Sequence, residues 1–274
     1  VEDVTLWDRI VKQLRGYWET WMLAWSDWRF KAGFLILFGF VFAGTIGTWL
    51  VESPTYQDGG KWDSPTYIGE NPLGTDQFGQ DILALLVHAT PDMLLMLAGG
   101  AVFATGIGAF VGIVSGYKGG RADEVLMTLT DTAMMIPGLP LIIIVGAIGE
   151  PTSPFLVGIL VTRTAWAGTA RALRSQVLPI REEEYVEASR IMGVSTGSIL
   201  RKDITPQLLP LILVNFVMSG RGVIFNSVAL YFLGVLPVEG VNWGVMLEKA
   251  YAAGAVTSSE LFYTVLWPLL TIVL

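Results

Sequence analysis

The sequence contains no cysteine and a single histidine, His88, among its 274 residues. Disulfide scaffolds, thiolate metal sites and cysteine nucleophiles are therefore excluded, and one imidazole is too few for a histidine metal cluster. Charged residues make up only 15% of the chain, and the net charge of -7 argues against a nucleic-acid partner. Hydrophobic residues make up 53%, and the mean hydropathy of +0.57 lies outside the usual range of soluble domains. The composition indicates an integral membrane protein.

Two common catalytic motifs are absent from the sequence. It has no G-x-x-x-x-G-K-[ST] phosphate loop and no H-E-x-x-H. The acidic run from Glu182 to Glu184 has no accompanying partner group, and is typical of a solvated surface rather than of acid/base catalysis. We therefore expect a chain that is not an enzyme, with no catalytic residue, no metal and no cofactor of its own.

Long uncharged stretches predict the membrane spans. Residues 32–51 carry no charge over 20 positions, enough to cross a hydrocarbon core of roughly 30 Å. Further spans are predicted at 93–114, at 125–148 around Asp131, at 154–170 around Arg163, and at 208–236 around Arg221. The last 14 residues are too short to cross alone, so we expect the chain to stop inside a truncated sixth span. The predicted fold is an all-α polytopic bundle of about six transmembrane helices.

The basic residues predict the orientation of this bundle. Thirteen of the 17 lysines and arginines fall in residues 1–31, 115–124 and 171–207, whereas the opposite loops contain only Lys61 and Lys249. Basic residues favour cytoplasmic loops, so those three segments and the N-terminus are predicted to be cytoplasmic. We expect no cleavable signal peptide, because charge runs through the N-terminal segment.

These predictions divide the chain into four parts of a multi-pass cell membrane protein. They are a cytoplasmic interfacial segment (1–31), the first transmembrane helix (32–51), an extracytoplasmic loop (52–92) and a transmembrane core (93–274) that includes a cytoplasmic elbow at 182–206. In the first part, Trp18, Trp21, Trp25 and Trp28 recur at helical spacing. Four indoles on one face favour an anchor helix in the lipid headgroup region, with partner binding as the alternative.

Small residues recur at every fourth position of the predicted second span. They are Gly100, Ala104, Gly108, Gly112 and Gly116. Such a stripe lets another helix approach closely, so we predict helix packing here rather than ligand contact. In the third span, Pro137 and Pro140 remove backbone donors and predict a kink near the middle of the membrane.

A polar stretch ahead of the fifth span, EYVEASRIMGVSTGSILRKDITP (184–206), predicts a helical elbow. Residues 184–192 lack glycine and proline and predict a short helix, which Gly193 ends in the left-handed conformation. Ser195 is placed to cap a second short helix that runs to Lys202, and Pro206 opens the fifth span. On the cytoplasmic side, such a unit suits either a groove in another protein or the lipid headgroups.

The same stretch resembles the cytoplasmic E-A-A-x-x-x-G loop of ABC importer permeases, with its downstream Ile and Pro. The matching residues are Glu187, Ala188, Ser189, Gly193, Ile204 and Pro206, with Ser189 standing where the family usually has alanine. Three further segments are similar to the dipeptide/oligopeptide/nickel importer permeases: NPLGTDQFGQD (71–81), GYKGGRADEVLMTLTDTAMMIPGLPL (116–141) and ALYFLGVLPVEGVNWGVML (229–247). They follow the family's order and spacing over most of residues 70–250.

The sequence also departs from the family pattern. Asn71 and Gln80 replace the usual His and Arg of the external motif, Asn226 stands where Glu is common, and Tyr231 replaces Ser. Arg163 and Arg221 occupy positions where the family is expected to be uncharged. These departures bear on the identity of the solute more than on the overall role.

The resemblance implies a type I importer permease that forms half of a pore for peptides or similar small polar solutes. The implied partners are a homologous second permease, two cytoplasmic ATPase subunits that bind ATP and Mg, an extracytoplasmic solute-binding protein and the lipid bilayer. The resemblance also implies a role for each part of the elbow. Gly193 would be the hinge, and Ile204 and Pro206 would transfer force to the membrane helix. The residues that would dock the ATPase are Glu184, Tyr185, Glu187, Ala188 and Ser189. The alternative is an ion-coupled secondary transporter without an ATPase partner, which would not explain the elbow motif.

Two further groups of residues are candidate sites. The external motif contributes Gly74, Thr75, Asp76, Gly79 and Asp81, which we expect to cap turns and the following short helix. Contact with the binding protein is one alternative for this motif, and calcium at Glu70, Asp76 and Asp81 is another.

The translocation path candidates are Asp131, Arg163, Asn215, Arg221 and Asn226. Ionisable groups within spans tend to face a cavity or a charged partner, and a polar solute needs a wet path. For Asp131 we expect pairing with Arg163 or Arg221, or snorkelling to the membrane surface, with direct contact to the solute as the alternative.

Overall fold

The computed structural model describes residue 18 and residues 21–56, 59–69, 71–149, 153–236 and 240–274. These residues are helical apart from their connecting loops and one isolated bridge between Thr75 and Asp81. The helices in chain order are α1 (Trp28–Phe42), α2 (Ile82–Lys118), α3 (Gly120–Met135), α4 (Gly138–Gly149), α5 (Pro154–Thr162), α6 (Ala165–Ile180), α7 (Glu184–Ile191), α8 (Thr196–Ile199), α9 (Thr205–Phe232), α10 (Trp243–Ala252) and α11 (Tyr263–Val273). A π-helical turn (Ala43–Gly47) extends α1 to a last turn at Thr48–Leu50, and another (Leu200–Ile204) joins α8 to α9.

Three helices of the described chain are long and apolar enough to cross a bilayer: Trp28–Leu50, Ile82–Lys118 and Thr196–Phe232. A fourth candidate is a pair of helices, Gly120–Met135 and Pro140–Gly146, bent by 85°. The all-helical membrane architecture is thus confirmed, whereas the count of six spans is not. The predicted fourth span divides at Arg163 into α5 and α6, and α11 is a shorter apolar helix.

The predicted third span is broken rather than kinked. Ile136, which precedes Pro137, has extended backbone dihedrals, φ -71° and ψ 120°, and ends α3. The residue before a proline is disfavoured in the helical region, and proline has no N–H to continue the hydrogen-bond ladder. The chain therefore turns sharply between α3 and α4.

The central helix is α2, which contacts α5, α6 and α9. Asp81 caps its N-terminus by accepting hydrogen bonds from the N–H groups of Leu83 and Ala84, so the helix begins well ahead of the predicted span 93–114, and the preceding loop is shorter than 52–92. Its 37 residues extend about 55 Å at 1.5 Å per residue. A hydrocarbon core is only about 30 Å thick, so the two ends of α2 project on opposite sides of the membrane.

The stripe of small residues on α2 packs against α5 and α6, as predicted. A Cβ atom on Gly100 would lie 2.6 Å from the carbonyl oxygen of Gly158, and one on Gly108 would lie 2.6 Å from Cβ of Thr169. Thr162 Oγ1 donates a hydrogen bond of 3.1 Å to the carbonyl oxygen of Gly100. The backbones approach so closely that larger residues would force the helices apart.

Two clusters of buried side chains hold the bundle together. The first surrounds Met93, Met96, Val157, Val223 and Trp243, where α2, α5, α9 and α10 meet. The second joins the C-terminal end of α2 to α6 and the elbow, and consists of Ile113, Leu173, Val177, Val186, Ile199, Ile204 and Leu208. Many large apolar side chains of α1 and α9 remain exposed, which is expected of faces that meet lipid or another subunit.

The tryptophan segment folds back on the first span instead of continuing it. A helix over residues 21–26 stops at Asp27, whose carboxylate caps α1. The ring centroid of Trp21 lies 5.5 Å from that of Phe30 and 5.7 Å from that of Phe34. In one continuous helix, Trp21 and Phe34 would be about 20 Å apart. The prediction that all four indoles lie on one face of a single helix is therefore wrong. Residues 1–17, 19 and 20 of the predicted segment lie outside the described residues.

Candidate functional site

The polar stretch after α6 forms the predicted helical elbow (residues 184–204). α7 ends at Ile191, and Gly193 follows with φ +75°, in the left-handed region that glycine readily adopts. The Gly193 N–H donates to the carbonyl oxygen of Arg190, and the Val194 N–H donates to that of Ser189. The predicted helix and glycine turn are confirmed.

The second half of the elbow differs from the prediction. Ser195 precedes α8 as its N-cap residue, but within the described chain its side chain makes no capping hydrogen bond. The helix also continues past Lys202, through the π-helical turn, into α9. Two buried isoleucines, Ile199 and Ile204, hold this junction in the second cluster, so the helix has no reason to end there. Pro206 lies in the first turn of α9, where a missing N–H is tolerated.

The elbow combines a buried anchor with an exposed apolar tip. Val186 and Ile204 are fully buried, whereas Ile191 is 80% exposed and Met192 is 73% exposed. Burying a large apolar side chain contributes about 1.5–3 kcal/mol relative to leaving it in water. The apolar tip (Ile191, Met192 and Val194) is therefore suited to contact with another surface. Neither the anchor nor the tip was predicted from the sequence, although the apolar pair directly before Gly193 is a visible signal.

The residues to which the resemblance assigns ATPase docking lie together on α7. Glu184, Tyr185, Glu187 and Ala188 are exposed, and Ser189 is half-buried. Two contacts fix the direction of α7. The Tyr185 hydroxyl accepts a hydrogen bond from Gln207 Nε2 on α9, and the Arg190 guanidinium lies 5.6 Å from the Tyr117 ring centroid on α2. The exposed face of α7 is thus held in place relative to α2 and α9.

Two ion pairs join α3 to α6 near the elbow. Arg174 donates from Nε and Nη2 to the two carboxylate oxygens of Asp123, at 2.6 Å each. These hydrogen bonds raise the pKa of the Arg174 guanidinium above its ordinary value, so the pair stays ionised. Arg171 donates to Asp131. The expected pairing of Asp131 with Arg163 or Arg221 is therefore wrong, because α3 packs against α6, which brings Arg171 to the carboxylate.

The remaining path candidates occupy separate environments. Arg163 donates from Nη2 to the carbonyl oxygen of Gly138, at 2.9 Å, and so ties the break between α5 and α6 to the start of α4. Asn215 accepts a 3.4 Å hydrogen bond from a threonine of α6. Arg221 and Asn226 are both exposed on α9. A pore lined by these residues stays a prediction, since the exposed face of α9 is open to a second subunit or to lipid.

At the other end of α2, the external motif forms a tight loop around Thr75. The side chain is fully buried, and Oγ1 accepts from the Asp63 N–H at 2.8 Å while it donates to the Gly60 carbonyl oxygen at 2.5 Å. The Thr75 carbonyl oxygen accepts a 2.9 Å hydrogen bond from the Tyr263 hydroxyl. One residue therefore joins both sides of the loop to α11.

Other motif residues form turns, as expected. Asp76 Oδ1 accepts from the N–H groups of Phe78, at 2.7 Å, and Gln80, at 3.0 Å. Gly74 and Gly79 have φ values of +84° and +74°, which favour glycine. Of the calcium ligands considered above, Glu70 lies outside the described residues, and elsewhere in the described chain no three His, Cys, Asp or Glu side chains are grouped to hold a metal.

Replacing Thr75 by valine is expected to destabilise the external loop. Valine has nearly the same shape but removes both hydrogen bonds of Oγ1, each of which contributes about 0.5–1.5 kcal/mol to stability. Thermal unfolding of the purified protein should show a clear fall in the unfolding temperature. Thr66→Val is the control, because Thr66 is exposed and donates only a 3.3 Å hydrogen bond. Equal unfolding temperatures for the two variants would contradict the assigned role of Thr75.

The fold and the two sites define a helical, multi-pass membrane protein with an elbow at one end of its central helix and a tight loop at the other. Residues 108–274 match the family model of binding-protein-dependent transport system inner membrane components. This match covers the ion-paired helices, the elbow and α9 to α11. The chain belongs to this family, whose members are the permeases of ABC importers.

Three relatives from two bacteria give the same result. The oligopeptide transport system permease protein OppC of Bacillus subtilis is 28% identical over 266 residues, which cover 93% of this chain and 84% of that protein. The dipeptide transport system permease protein DppC of the same organism is 31% identical over 214 residues, 78% of this chain and 66% of the relative. OppC of Haemophilus influenzae is 30% identical over 247 residues, which cover 88% of this chain and 78% of that protein.

Proposed function

We propose that this chain is the permease subunit of an ATP-driven importer and forms half of the translocation pore for peptides or similar small polar solutes. The relatives are named for oligopeptide and dipeptide transport, which supports this class of solute. In this proposal, a homologous permease supplies the other half of the pore, two ATPase subunits bind ATP and Mg, and a solute-binding protein delivers the solute. This chain itself needs no bound cofactor.

The elbow is the observation that supports ATPase coupling most directly. It presents the exposed side chains of Glu184, Tyr185, Glu187 and Ala188, together with the apolar tip. An exposed tip on a buried anchor is the shape expected of a knob that docks into a groove. The second permease would present its own elbow to the second ATPase.

The helical junction behind the elbow provides a route for force. From Thr196 to Phe232 the helix is uninterrupted, so a displacement of the elbow moves α9 as one body. Ile204 is fully buried and Pro206 lies two residues further along, and both support force transfer through this junction. Closure of the ATPases on ATP binding would bring two such elbows together and favour a pore open to the outside, and hydrolysis would reset it.

This mechanism requires the elbow, and with it the N-terminus, to face the cytoplasm. The basic residues of 1–31, 115–124 and 171–207 support that orientation. The external loop around Thr75 then faces outward, since it lies at the opposite end of α2. There it would meet the solute-binding protein.

Reversing the charge of Glu187 is expected to abolish co-purification with the cognate ATPase. The exposed carboxylate lies next to Ala188 on the proposed docking face, and an arginine there would be both larger and oppositely charged. The measurement is a pull-down in detergent, with Glu124→Arg as the control, because Glu124 is an exposed carboxylate of α3 outside the elbow. Retention by Glu187→Arg would place docking elsewhere, and no association of the unaltered chain would favour an ion-coupled transporter.

A further inference from the structure

A cavity of about 290 Å³ lies between the external loop and α10. Its polar lining includes Asp76 and Gln80 on the loop and Lys249 on α10, and Trp62 adds an aromatic side chain. Pockets for drug-sized ligands measure about 300–1,000 Å³, so this cavity suits one smaller molecule. It lies at the opposite end of α2 from the elbow, and none of the roles derived above uses it.

Gln80 is the first sign that the cavity is built for a ligand. The residue is only 7% exposed, and its side-chain amide makes no hydrogen bond to a described residue. The amide atoms are not among the fully buried polar atoms that lack a partner, so they stay accessible from the cavity that Gln80 lines. A molecule bound there can therefore form hydrogen bonds with this amide.

Lys249 adds a positive charge to the lining of the same cavity. Within the described chain it forms no ion pair, and its ammonium lies 5.0 Å from the centroid of the Phe78 ring. A cation over an aromatic face is held in position but keeps its capacity to donate hydrogen bonds. Lys249 and Gln80 together therefore suit a carboxylate.

Asp76 contributes the opposite charge. Its Oδ1 accepts the two loop hydrogen bonds described above, while Oδ2 accepts none from the described residues. A carboxylate with a free oxygen suits an ammonium group. Part of the remaining wall is apolar and includes Ile82, Val245 and Met246, so the cavity offers a cationic site, an anionic site and an apolar surface.

We propose that this cavity binds the zwitterionic form of an apolar α-amino acid, either free or as the end groups of a short peptide. Lys249 and Gln80 hold the carboxylate, Asp76 holds the ammonium, and the apolar wall receives the side chain. The inference rests on the proposed function, because it assigns an outward-facing solute site to the permease itself.

The test is equilibrium dialysis with tritiated L-leucine and L-leucyl-L-leucine. The full chain is placed in lipid nanodiscs with the subunits that co-purify with it. Lys249→Met should weaken binding at least tenfold, since a hydrogen-bonded charge is lost, whereas Lys249→Arg should retain it. The control is Lys61→Met, because Lys61 is an exposed lysine of the same loop region. Gln80→Leu, which removes an amide without a protein partner, is a second variant that should fold and bind more weakly.

Blocked ligands identify the groups that are recognised. L-leucinamide lacks the carboxylate and N-acetyl-L-leucine lacks the ammonium, so both should compete at least tenfold less well than leucine. Preference for leucine or for the dipeptide distinguishes a free amino acid from a peptide end as the source.

The proposal is overturned by absence of binding of both probes, by equal binding to wild type and Lys249→Met, or by an equal loss in Lys61→Met. If one of these results is found while the unaltered chain still co-purifies with its ATPase and Glu187→Arg does not, only the cavity assignment is refuted. Failure of the pull-down, with leucine bound, removes the ATPase coupling and leaves the cavity.

Discussion

Substitution of Gly193 by proline is expected to abolish solute uptake while leaving the membrane fold intact. Proline fixes φ near -65°, whereas Gly193 has φ +75° and donates its N–H to the carbonyl oxygen of Arg190. The turn therefore cannot form, and α7 must point in another direction. We expect at least a tenfold loss of uptake and loss of ATPase co-purification, on the grounds that the exposed face of α7 would no longer be presented.

Gly193→Asn is the matched control for this prediction. Among residues with a side chain, asparagine is one of the few that adopt positive φ readily, and it keeps the backbone donor. No described atom beyond the adjacent residues lies within 4 Å of a Cβ atom placed on Gly193, so the backbone conformation rather than crowding distinguishes the two substitutions. Uptake should therefore survive in Gly193→Asn. Normal uptake by a correctly assembled Gly193→Pro protein would refute the elbow as the hinge.

Gly100→Leu is expected to have the largest effect on the stability of the bundle. Its Cβ atom would lie 2.6 Å from the carbonyl oxygen of Gly158, and it would also collide with Val223. Backbone cannot move aside as a flexible side chain can, so α2 must separate from α5. Overpacking of this kind costs about 1–3 kcal/mol or more. Thermal unfolding in detergent should show a fall of roughly 5–10 °C, or the protein should fail to accumulate.

Gly106→Leu tests whether the position, rather than the residue type, decides this outcome. Gly106 lies on the same helix, but no described atom is within 4 Å of a Cβ atom placed there. Leucine favours helix and membrane equally at both positions. The unfolding temperature of Gly106→Leu should therefore match that of the unaltered protein, and a comparable fall would show that the close approach at Gly100 is not the cause.

The sequence was sufficient for features that depend on a few neighbouring residues. Hydropathy over 32–51 located the first span, the small-residue stripe predicted close packing, and Gly193 predicted the turn of the elbow. Asp81 was likewise expected at a helix start. In each case the cause is local, because a helix cap, a left-handed turn or an apolar run is determined by residues within a few positions of one another.

Features of intermediate range were predicted less well. Pro137 and Pro140 indicated a kink, but the sequence could not show that the chain would bend by 85°. Ser195 occupied the predicted N-cap position, yet the helix after it ran on into α9. There the burial of Ile199 and Ile204 outweighs the short-range signals, because their environment comes from α2 and α6.

By itself, then, the sequence determined the class of the protein, the places of its long apolar helices, and the elbow with its glycine turn. Only the tertiary structure decided that Asp131 meets Arg171, that Trp21 folds back onto Phe34, and that Gln80 and Lys249 face one cavity. These pairs lie far apart in the chain, or reverse its direction, so no periodicity connects them. Their contacts depend on which helices pack together and in what register along their axes. The packing of the whole bundle determines both, and no single segment does.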